Sequence, residues 1–139
     1  MNEEYQKPIP VIQPWTEEFW KATKEHKLLI QECKDCESKI FYPRKFCPEC
    51  WSGNLGWSEA SGKAKVFSFT ITRDMVEPKF IPDLPYVLAM VNLEEGIRMM
   101  TRIVECDPEE VKLDMEVEVV FEDISEECAL PMFRPVKKE

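Results

Sequence analysis

The second half of the chain carries the clearest pattern, an alternation of apolar and polar side chains that is typical of half-buried β-strands. The alternation breaks at Glu94-Glu95-Gly96, where glycine supplies the positive φ of a bulged hairpin turn, and at Asp107-Pro108, which is typical of a helix start. The predicted strands lie at residues 65–72, 86–93, 97–104, 116–124 and 130–136. Five strands with a short helix before the fourth predict a small closed barrel, an OB-fold, in a mainly β protein.

The first part of the chain predicts one helix and two short strands. TEEFWKATKEHK begins with Thr16 as the capping residue, followed by acidic residues that suit the positive end of the helix dipole. Trp15 precedes the cap and is placed to pack on Trp20 as a hydrophobic staple. LLIQEC and IFYP predict the short strands. Because Phe19 and the two tryptophans carry much apolar surface, this helix docks either on the rest of the chain or on a partner subunit.

A long connection, DMVEPKFIPDLP, separates the first two barrel strands. Its three prolines stiffen it and Phe80 and Ile81 make it apolar, and loops of this length are often functional. It either caps one end of the barrel or forms a binding edge. The candidates for a partner interface are therefore Trp15, Phe19, Trp20, Phe80 and Ile81.

Four of the six cysteines form two Cys-x-x-Cys pairs, Cys33/Cys36 and Cys47/Cys50. Each pair brings two sulfurs close together, and the ten residues between the pairs form a hairpin that turns the pairs face to face. Soft sulfur ligands favour Zn²⁺, and four protein ligands leave no position for a reacting water. We therefore predict a structural tetrahedral zinc site in a ribbon too small to have its own core. Iron is the alternative ion, since CPEC is similar to the second knuckle of rubredoxins.

Composition sets the broad class. The chain has 139 residues, 44% apolar and 32% charged, which predicts a soluble, folded protein. It shows no secretory signal and no apolar run of roughly 18 residues, so a cytoplasmic protein with reduced thiols is expected. The net charge of −9 is uneven. Residues 33–65 hold 6 basic and 4 acidic side chains, whereas residues 66–139 hold 8 and 17.

The sequence contains no recognisable catalytic constellation. Its one histidine, His26, lies at the end of the predicted helix, away from every cysteine in the sequence. Cys106 and Cys128 have the character of small buried apolar residues. Gly-rich phosphate loops and serine elbows are absent. We therefore expect no catalytic residues.

Taken together, these stretches resemble a family of acyl-CoA-associated proteins built from an N-terminal helix, a rubredoxin-like zinc ribbon and an OB-fold. The matching stretches are LLIQECKDCESKIFYPRKFCPEC, SGKAKVFSFTITR, LPYVLAMVNLEEGIRMMTRIVECDPEEVKLDMEVEVVFED and LPMFRP. Two positions depart from the family pattern. Glu37 follows the second cysteine and Asp114 precedes the fourth strand, where family members often carry glycine.

The resemblance implies a non-catalytic accessory subunit of a thiolase-type enzyme, which cleaves or forms carbon–carbon bonds in acyl-CoA substrates. It implies a hetero-oligomer with a thiolase-superfamily subunit, such as that of benzoylsuccinyl-CoA thiolase, an acyl-CoA C-acyltransferase, and a share in a CoA or acyl-CoA channel. It implies a docking segment at residues 1–32, the ribbon at 33–61 and the barrel at 62–139. The basic candidates for an anionic CoA phosphate are Arg44, Lys45, Lys63, Lys65 and Arg73.

The alternative function is a module that binds single-stranded nucleic acid, because barrels and ribbons of this kind also serve that role. Such barrels need a positive groove with stacking aromatics. The barrel region here is strongly acidic, which opposes phosphate binding. We therefore expect neither a nucleic-acid partner nor membrane association. An iron-bound redox protein and a thioester hydrolase stay as further alternatives.

Overall fold

The computed structural model describes residue 7 and residues 9–136, so residues 1–6, 8 and 137–139 of the predicted terminal segments lie outside the described residues. The elements are α1 (Glu17–Lys24), β1 (Leu29–Cys33), β2 (Lys39–Ile40), β3 (Leu55–Glu59), β4 (Lys63–Thr72), β5 (Tyr86–Leu93), β6 (Arg98–Ile103), β7 (Glu116–Asp123) and β8 (Ala129–Pro135). Short 3₁₀ turns span Pro78–Asp83 and Pro108–Glu110. No helix within the described residues is long and apolar enough to cross a membrane.

The last five strands form a closed barrel in the order β4-β5-β6-β8-β7, which confirms the predicted mainly β fold with an OB barrel. Inward positions of the alternating strands are buried, as at Val66, Val91 and Val117, which have no exposed surface. The predicted helix before the fourth barrel strand is a single 3₁₀ turn. The Asp107 carboxylate caps this turn by accepting a hydrogen bond from the Glu109 N–H at 2.9 Å.

The ribbon sheet has three strands, with β1 between β2 and β3. The strand predicted at IFYP is only two residues long and starts at Lys39. Strand β3, whose five residues pair with all of β1, is not predicted by the sequence pattern. Its sequence, LGWSE, contains glycine and serine and follows a turn-rich stretch, so it gives little strand signal by itself. Pairing with β1 overrides this weak local preference.

Helix α1 ends three residues before the predicted limit of Lys27. His26 adopts φ 61°, the left-handed conformation that terminates helices, and the Lys27 N–H bonds to the Ala22 carbonyl at 2.9 Å. At the other end, Thr16 stands at the predicted capping position, but its hydroxyl bonds to the backbone of Gln13. Phe19 enters the main core, which α1 shares with the ribbon and the barrel.

The barrel closes through very few backbone contacts between β6 and β8. These two strands run parallel and share one register pair, Ile103 with Phe133. Next to it, the Val104 N–H donates to the Phe133 carbonyl at 2.8 Å. Further along, the Thr101 hydroxyl donates to the Pro131 carbonyl at 3.1 Å. Beyond this point no register pair joins the two strands within the described residues, and α1 and the ribbon lie beside the gap.

Helix α1 and the ribbon each cap one edge of that gap with a side-chain oxygen. The Ala129 N–H of β8 donates to the Thr23 hydroxyl at 3.0 Å, and this hydroxyl donates to the Trp20 carbonyl. The Met100 N–H of β6 donates to the Tyr42 hydroxyl at 2.8 Å. The Ala129 N–H is buried and needs a partner, whereas the bond from Met100 to Tyr42 is exposed to solvent. The two bonds attach the helix and the ribbon to the barrel.

We expect Thr23→Val to lower the free energy of unfolding by about 1–3 kcal/mol, because an isosteric apolar side chain leaves the buried Ala129 N–H without its acceptor. Thr23 has no exposed surface. Urea denaturation measures the effect. Thr70→Val, on the exposed face of β4, is the control and changes stability by less than about 0.5 kcal/mol. Equal stability of the two variants would contradict the capping role.

Candidate metal centre and the clefts beside it

The structure brings the four paired cysteines together at one end of the ribbon. Their sulfur atoms all lie within 4.8 Å of one another. The Sγ atoms of Cys33 and Cys50 are 3.5 Å apart, and those of Cys36 and Cys47 are 3.6 Å apart. Tetrahedral Zn–S bonds of 2.3 Å place sulfurs about 3.8 Å apart, so this cluster fits a zinc ion.

Each Cys-x-x-Cys turn is built by the same backbone bonds. In the first turn, the Glu37 N–H donates to the Cys33 carbonyl, and the Cys36 N–H approaches the Cys33 sulfur at 3.4 Å. In the second, the Trp51 N–H donates to the Cys47 carbonyl at 2.8 Å. The Glu49 N–H likewise approaches the Cys47 sulfur at 3.3 Å. The N–H groups of Cys36 and Glu49 therefore point toward sulfur and stabilise thiolate charge, as a metal site requires.

The surroundings of the exposed cysteines shift their pKa values in opposite directions. Hydrogen bonding with the Ser38 hydroxyl lowers the pKa of Cys36 to about 6. The Ser52 N–H favours the Cys50 thiolate, but hydrogen bonding with Cys33 and burial outweigh it and raise the pKa of Cys50 to about 12. Four adjacent thiolates repel one another, so full deprotonation needs a positive ion among them.

Both residues that follow the second cysteine of a turn adopt left-handed backbone. Glu37 and Trp51 each have φ 65°, and Asp114, the other departure from the family pattern, has φ 64°. Glycine adopts this conformation without steric cost, whereas other residues lose about 1–2 kcal/mol. Glu37 and Asp114 thus adopt the left-handed backbone that glycine would adopt at these positions, at an energetic cost that glycine avoids.

An apolar groove of about 570 Å³ lies where α1, the ribbon and the diverging strands β6 and β8 meet. Its walls are mainly aromatic and methionine side chains, including Phe19, Trp20, Phe41, Met99, Met100 and Met132. The Tyr42 hydroxyl and Arg102 are among its polar groups. The Arg102 guanidinium stacks 3.9 Å from the Tyr86 ring centroid and pairs with Asp83 at 3.0 Å. A groove of this size and lining is typical of small-molecule sites.

The five basic candidates do not form one site. Lys63 and Lys65 lie on β4 opposite Glu118 and Glu116 of β7. Arg73 follows the far end of β4 and pairs with Glu109. Arg73 lies eight positions after Lys65 along extended chain, which is about 26 Å.

Arg44 and Lys45 lie apart from the β4 candidates, in the ribbon. The Gln31 side chain holds the Arg44 backbone through two hydrogen bonds, 2.8 Å to its N–H and 2.9 Å to its carbonyl. The Lys45 ammonium lies 4.5 Å from the Trp15 ring centroid. A cleft of about 390 Å³ opens beside both residues and is lined by Trp15 and Trp57.

The five interface candidates also differ from one another in burial and in position. Phe19 is 5% exposed and belongs to the chain's own core. Trp15 and Trp20 are half-buried, and Trp20 packs edge-on against Phe19 with ring centroids 4.9 Å apart. Phe80 is half-buried while Ile81 is 56% exposed on the long connection. This connection is anchored to β6 by the ion pair of Asp83 and Arg102.

Gln31, Tyr42 and Trp57 are the site residues that sequence reasoning did not single out. Gln31 is a buried polar residue, 4% exposed, in an otherwise apolar strand pattern, and such a position indicates a specific hydrogen-bonding role. Tyr42 lies within the quoted zinc-ribbon stretch but carries no local sign of its long-range bond to β6. Trp57 lies on the missed strand β3.

We expect Cys47→Ser to remove the metal and unfold the ribbon, because Cys47 is a fully buried member of the four-sulfur cluster. Metal analysis of the purified protein and far-ultraviolet circular dichroism measure the two effects. The control is Cys106→Ser, a half-buried thiol outside the cluster. A Cys47→Ser protein that keeps its metal and ribbon would contradict the assignment.

We expect Trp51→Gly to raise the free energy of unfolding of the metal-bound protein by about 0.5–1 kcal/mol, because it relieves left-handed strain at a side chain that is 77% exposed. Thermal denaturation measures the change. Trp51→Ala removes the same indole but keeps a Cβ at φ 65°, so it gains no such stability. Equal stabilisation by both substitutions would show that the indole, and not the backbone, is responsible.

Two family models match the chain in succession. Residues 20–56 match the ChsH2 rubredoxin-like zinc ribbon domain, and residues 57–122 match the ChsH2 C-terminal OB-fold domain. The first match and the four clustered cysteines together confirm a zinc ribbon that is able to bind a structural zinc. The second agrees with the observed barrel.

Curated relatives include short and long proteins. A DUF35 domain-containing scaffold protein of Methanocaldococcus jannaschii is 40% identical over 111 residues, covering 78% of this chain and 77% of the relative. A probable enoyl-CoA hydratase alpha subunit of Thermomonospora curvata is 33% identical over 129 residues. This match covers 93% of the chain but only 40% of that longer relative. A 3-oxo-4,17-pregnadiene-20-carboxyl-CoA hydratase alpha subunit of Mycobacterium tuberculosis is 33% identical, over 33% of its length.

Solved structures show the same architecture. A chain of the Ltp2-ChsH2(DUF35) aldolase superimposes with a TM-score of 0.81 at 32% identity, covering 91% of this chain and 98% of that one. A DUF35 protein of unknown function from Sulfolobus solfataricus shares the fold, with a TM-score of 0.58 at 18% identity and coverage of 77% and 78%. From these matches and the zinc-ribbon and OB-fold arrangement, the chain belongs to the DUF35 family of ribbon-and-barrel proteins.

Proposed function

We propose that this chain is a non-catalytic accessory subunit of a cytoplasmic acyl-CoA enzyme complex. The observation that carries the proposal is the near end-to-end structural match to a chain of the Ltp2-ChsH2(DUF35) aldolase. The names of the relatives support it, because two of them are alpha subunits of hydratases that act on CoA thioesters. The chain would stabilise its partner and contribute to a substrate channel.

The positions of the reactive side chains support an accessory role. The His26 ring lies 3.2 Å from the Asp123 carboxylate and stacks on Phe121, so it fastens the end of α1 to β7. Cys128 has no exposed surface. Burial and the nearby Glu110 and Asp107 carboxylates raise the pKa of the Cys106 thiol, which keeps it protonated and weakly nucleophilic.

We further propose that the partner is a thiolase-superfamily subunit. In the degradative direction the cysteine of such an enzyme attacks the C3 carbonyl of a 3-ketoacyl-CoA and the C2–C3 bond breaks. The C2 carbanion takes a proton and leaves as the CoA thioester of the C1–C2 fragment, while the acyl group that begins at C3 stays on the cysteine. Free CoA then accepts the enzyme-bound acyl group. This chain would supply walls of the channel, and the apolar groove between α1, β6 and β8 is the surface suited to an acyl group.

The three predicted segments have separate tasks in this proposal. Residues 1–32 and the long connection dock on the partner, residues 33–61 hold zinc and orient the docking helix, and residues 62–139 form the barrel side of the channel. The exposed Ile81 and half-buried Trp20 are the proposed contacts. Phe19 is already used in the chain's own core.

Affinity purification of the tagged chain from its native host, followed by mass spectrometry, tests this function. We expect a thiolase-superfamily subunit in stoichiometric amount. A hydratase or aldolase subunit would overturn the thiolase proposal and keep the accessory role, whereas recovery of the chain alone or with nucleic acid would overturn both.

A pair of matched substitutions tests the docking surface in the same experiment. Ile81→Asp places a charge on the proposed interface, so we expect partner recovery to fall at least about tenfold, as for a buried uncompensated charge. Leu113→Asp is the control, since Leu113 is 63% exposed outside the proposed interface. Unchanged recovery with Ile81→Asp would exclude this contact.

A further inference from the structure

We propose that three polar side chains, Asp35, Ser52 and Asn54, form a clasp that retains the metal ion in the ribbon. They are named here the zinc clasp. The clasp joins the two Cys-x-x-Cys turns on the side where their cysteines are exposed, and it thereby slows the loss of zinc to competing ligands. The inference concerns the four-cysteine site and does not depend on the proposed function.

The four cysteines divide into a protected pair and an accessible pair. Cys33 and Cys47, the first cysteine of each turn, are 1% and 0% exposed. Cys36 and Cys50, the second cysteine of each turn, are exposed. Four protein ligands fill the coordination sphere of a tetrahedral zinc ion, so a competing ligand must displace a sulfur before zinc can leave. That exchange begins on the side of Cys36 and Cys50, which is named here the exposed edge.

The zinc clasp spans the exposed edge through one carboxylate. Asp35 stands immediately before the second cysteine of the first turn, whereas Ser52 and Asn54 follow the second turn. The Ser52 hydroxyl donates to Oδ2 of Asp35, and the Asn54 side-chain amide donates to Oδ1 at 3.2 Å. The Asn54 N–H in turn donates to the Ser52 hydroxyl oxygen at 3.0 Å. Hydrogen bonds to an ionised carboxylate are roughly twice as strong as those between neutral groups, so Asp35 is a suitable bridge between the turns.

The clasp continues the ribbon sheet beyond the point where its strand pairing ends. The register of β1 with β3 runs as far as Cys33. Past this pair, the Lys34 N–H still donates to the Asn54 carbonyl at 2.9 Å. The side-chain bonds of Asp35 follow one residue further on, directly before the exposed cysteine of the first turn. The first turn is therefore fastened to the chain that leaves the second turn.

Ser52 connects the clasp to a metal ligand through its own backbone. The Cys47 N–H donates to the Ser52 carbonyl at 2.8 Å. Ser52 thus holds a buried ligand residue through its carbonyl and the other turn through its hydroxyl. Opening of the exposed edge requires the bonds of the clasp to break, and this opening is local because it leaves the barrel folded.

Electrostatic repulsion acts against the clasp and gives the test a clear sign. A zinc ion with four thiolates carries a net negative charge, so a nearby carboxylate is repelled by it. If charge alone governed zinc retention, removal of the Asp35 carboxylate would slow the loss of zinc. If the hydrogen bonds of the clasp govern it, the same removal speeds the loss of zinc.

The second turn offers a matched control. Glu49 stands directly before the second cysteine of its turn, which is the position that Asp35 occupies in the first turn. Both residues are exposed. The Glu49 carboxylate has no hydrogen-bond or ion-pair partner among the residues that the structure describes. Glu49→Ala therefore removes the same charge from the equivalent position without removing a hydrogen bond.

Release of zinc from the full zinc-loaded chain into an excess of a chromogenic chelator tests the inference. We expect Asp35→Ala to release zinc about five- to tenfold faster than the native chain, because it removes two hydrogen bonds that hold the exposed edge closed. Glu49→Ala has no such bond to lose and should not speed release. Equal rates for these two variants, or slower release from Asp35→Ala than from the native chain, would overturn the proposal.

A double-mutant cycle tests whether Asp35 acts through Ser52. Ser52→Ala should also speed zinc release. The double variant Asp35→Ala/Ser52→Ala should accelerate release by less than the product of the two single effects, because both single changes break the same bond. A double variant that reaches the full product would show independent effects and would refute the clasp.

A last comparison separates opening of the exposed edge from unfolding of the whole chain. Thr23→Val removes the bond from α1 to β8 and leaves the zinc clasp intact. We expect zinc release from this variant to match that of the native chain, because local opening does not require global unfolding. Equal acceleration by Thr23→Val and Asp35→Ala would show that zinc leaves only when the whole chain unfolds, and would overturn the proposal.

Discussion

The structure depends on how the gap between β6 and β8 is closed. A five-stranded barrel needs every strand to have two neighbours, but these two strands share one register pair. One further N–H on each edge has a partner outside the barrel: that of Ala129 donates to the Thr23 hydroxyl of α1, and that of Met100 donates to the Tyr42 hydroxyl of the ribbon. The helix, ribbon and barrel consequently share one core, and the apolar groove lies where the three meet.

Local pattern was enough to predict the barrel, the helix and the zinc site. Alternating strands such as β5 bury every second residue. The spacing of the two cysteine pairs is typical of a zinc site, and the four sulfurs do lie together. Strand β3 and the capping hydroxyls were missed because their determinants are distant in sequence. Thr23 and its donor Ala129 are 106 residues apart, and nothing in the local sequence marks either one.

The cations of the barrel and those of the ribbon have different surroundings. On the barrel, Arg134 lies within 3.3 Å of Glu105 and 2.9 Å of Glu118, and Lys63 and Lys65 face glutamates across the β4–β7 pair. Such pairing removes the continuous positive groove that a single nucleic-acid strand needs. The ribbon instead presents consecutive cations next to indoles. The five basic candidates were alike in sequence and differ in their surroundings, which only the fold reveals.

The bond from Thr23 to Ala129 joins the first helix to the last strand. During synthesis the ribbon emerges complete, with all four cysteines, long before β8 leaves the ribosome, since chains grow at about 5–20 residues per second. The zinc ribbon can therefore fold first. Helix α1 cannot form its hydrogen bond to the barrel until residue 129 has been translated. A nascent chain that stops short of β8 would lack one wall of the groove and would expose the apolar side chains of its other walls, together with the edges of β6 and β7, to other chains in the cell.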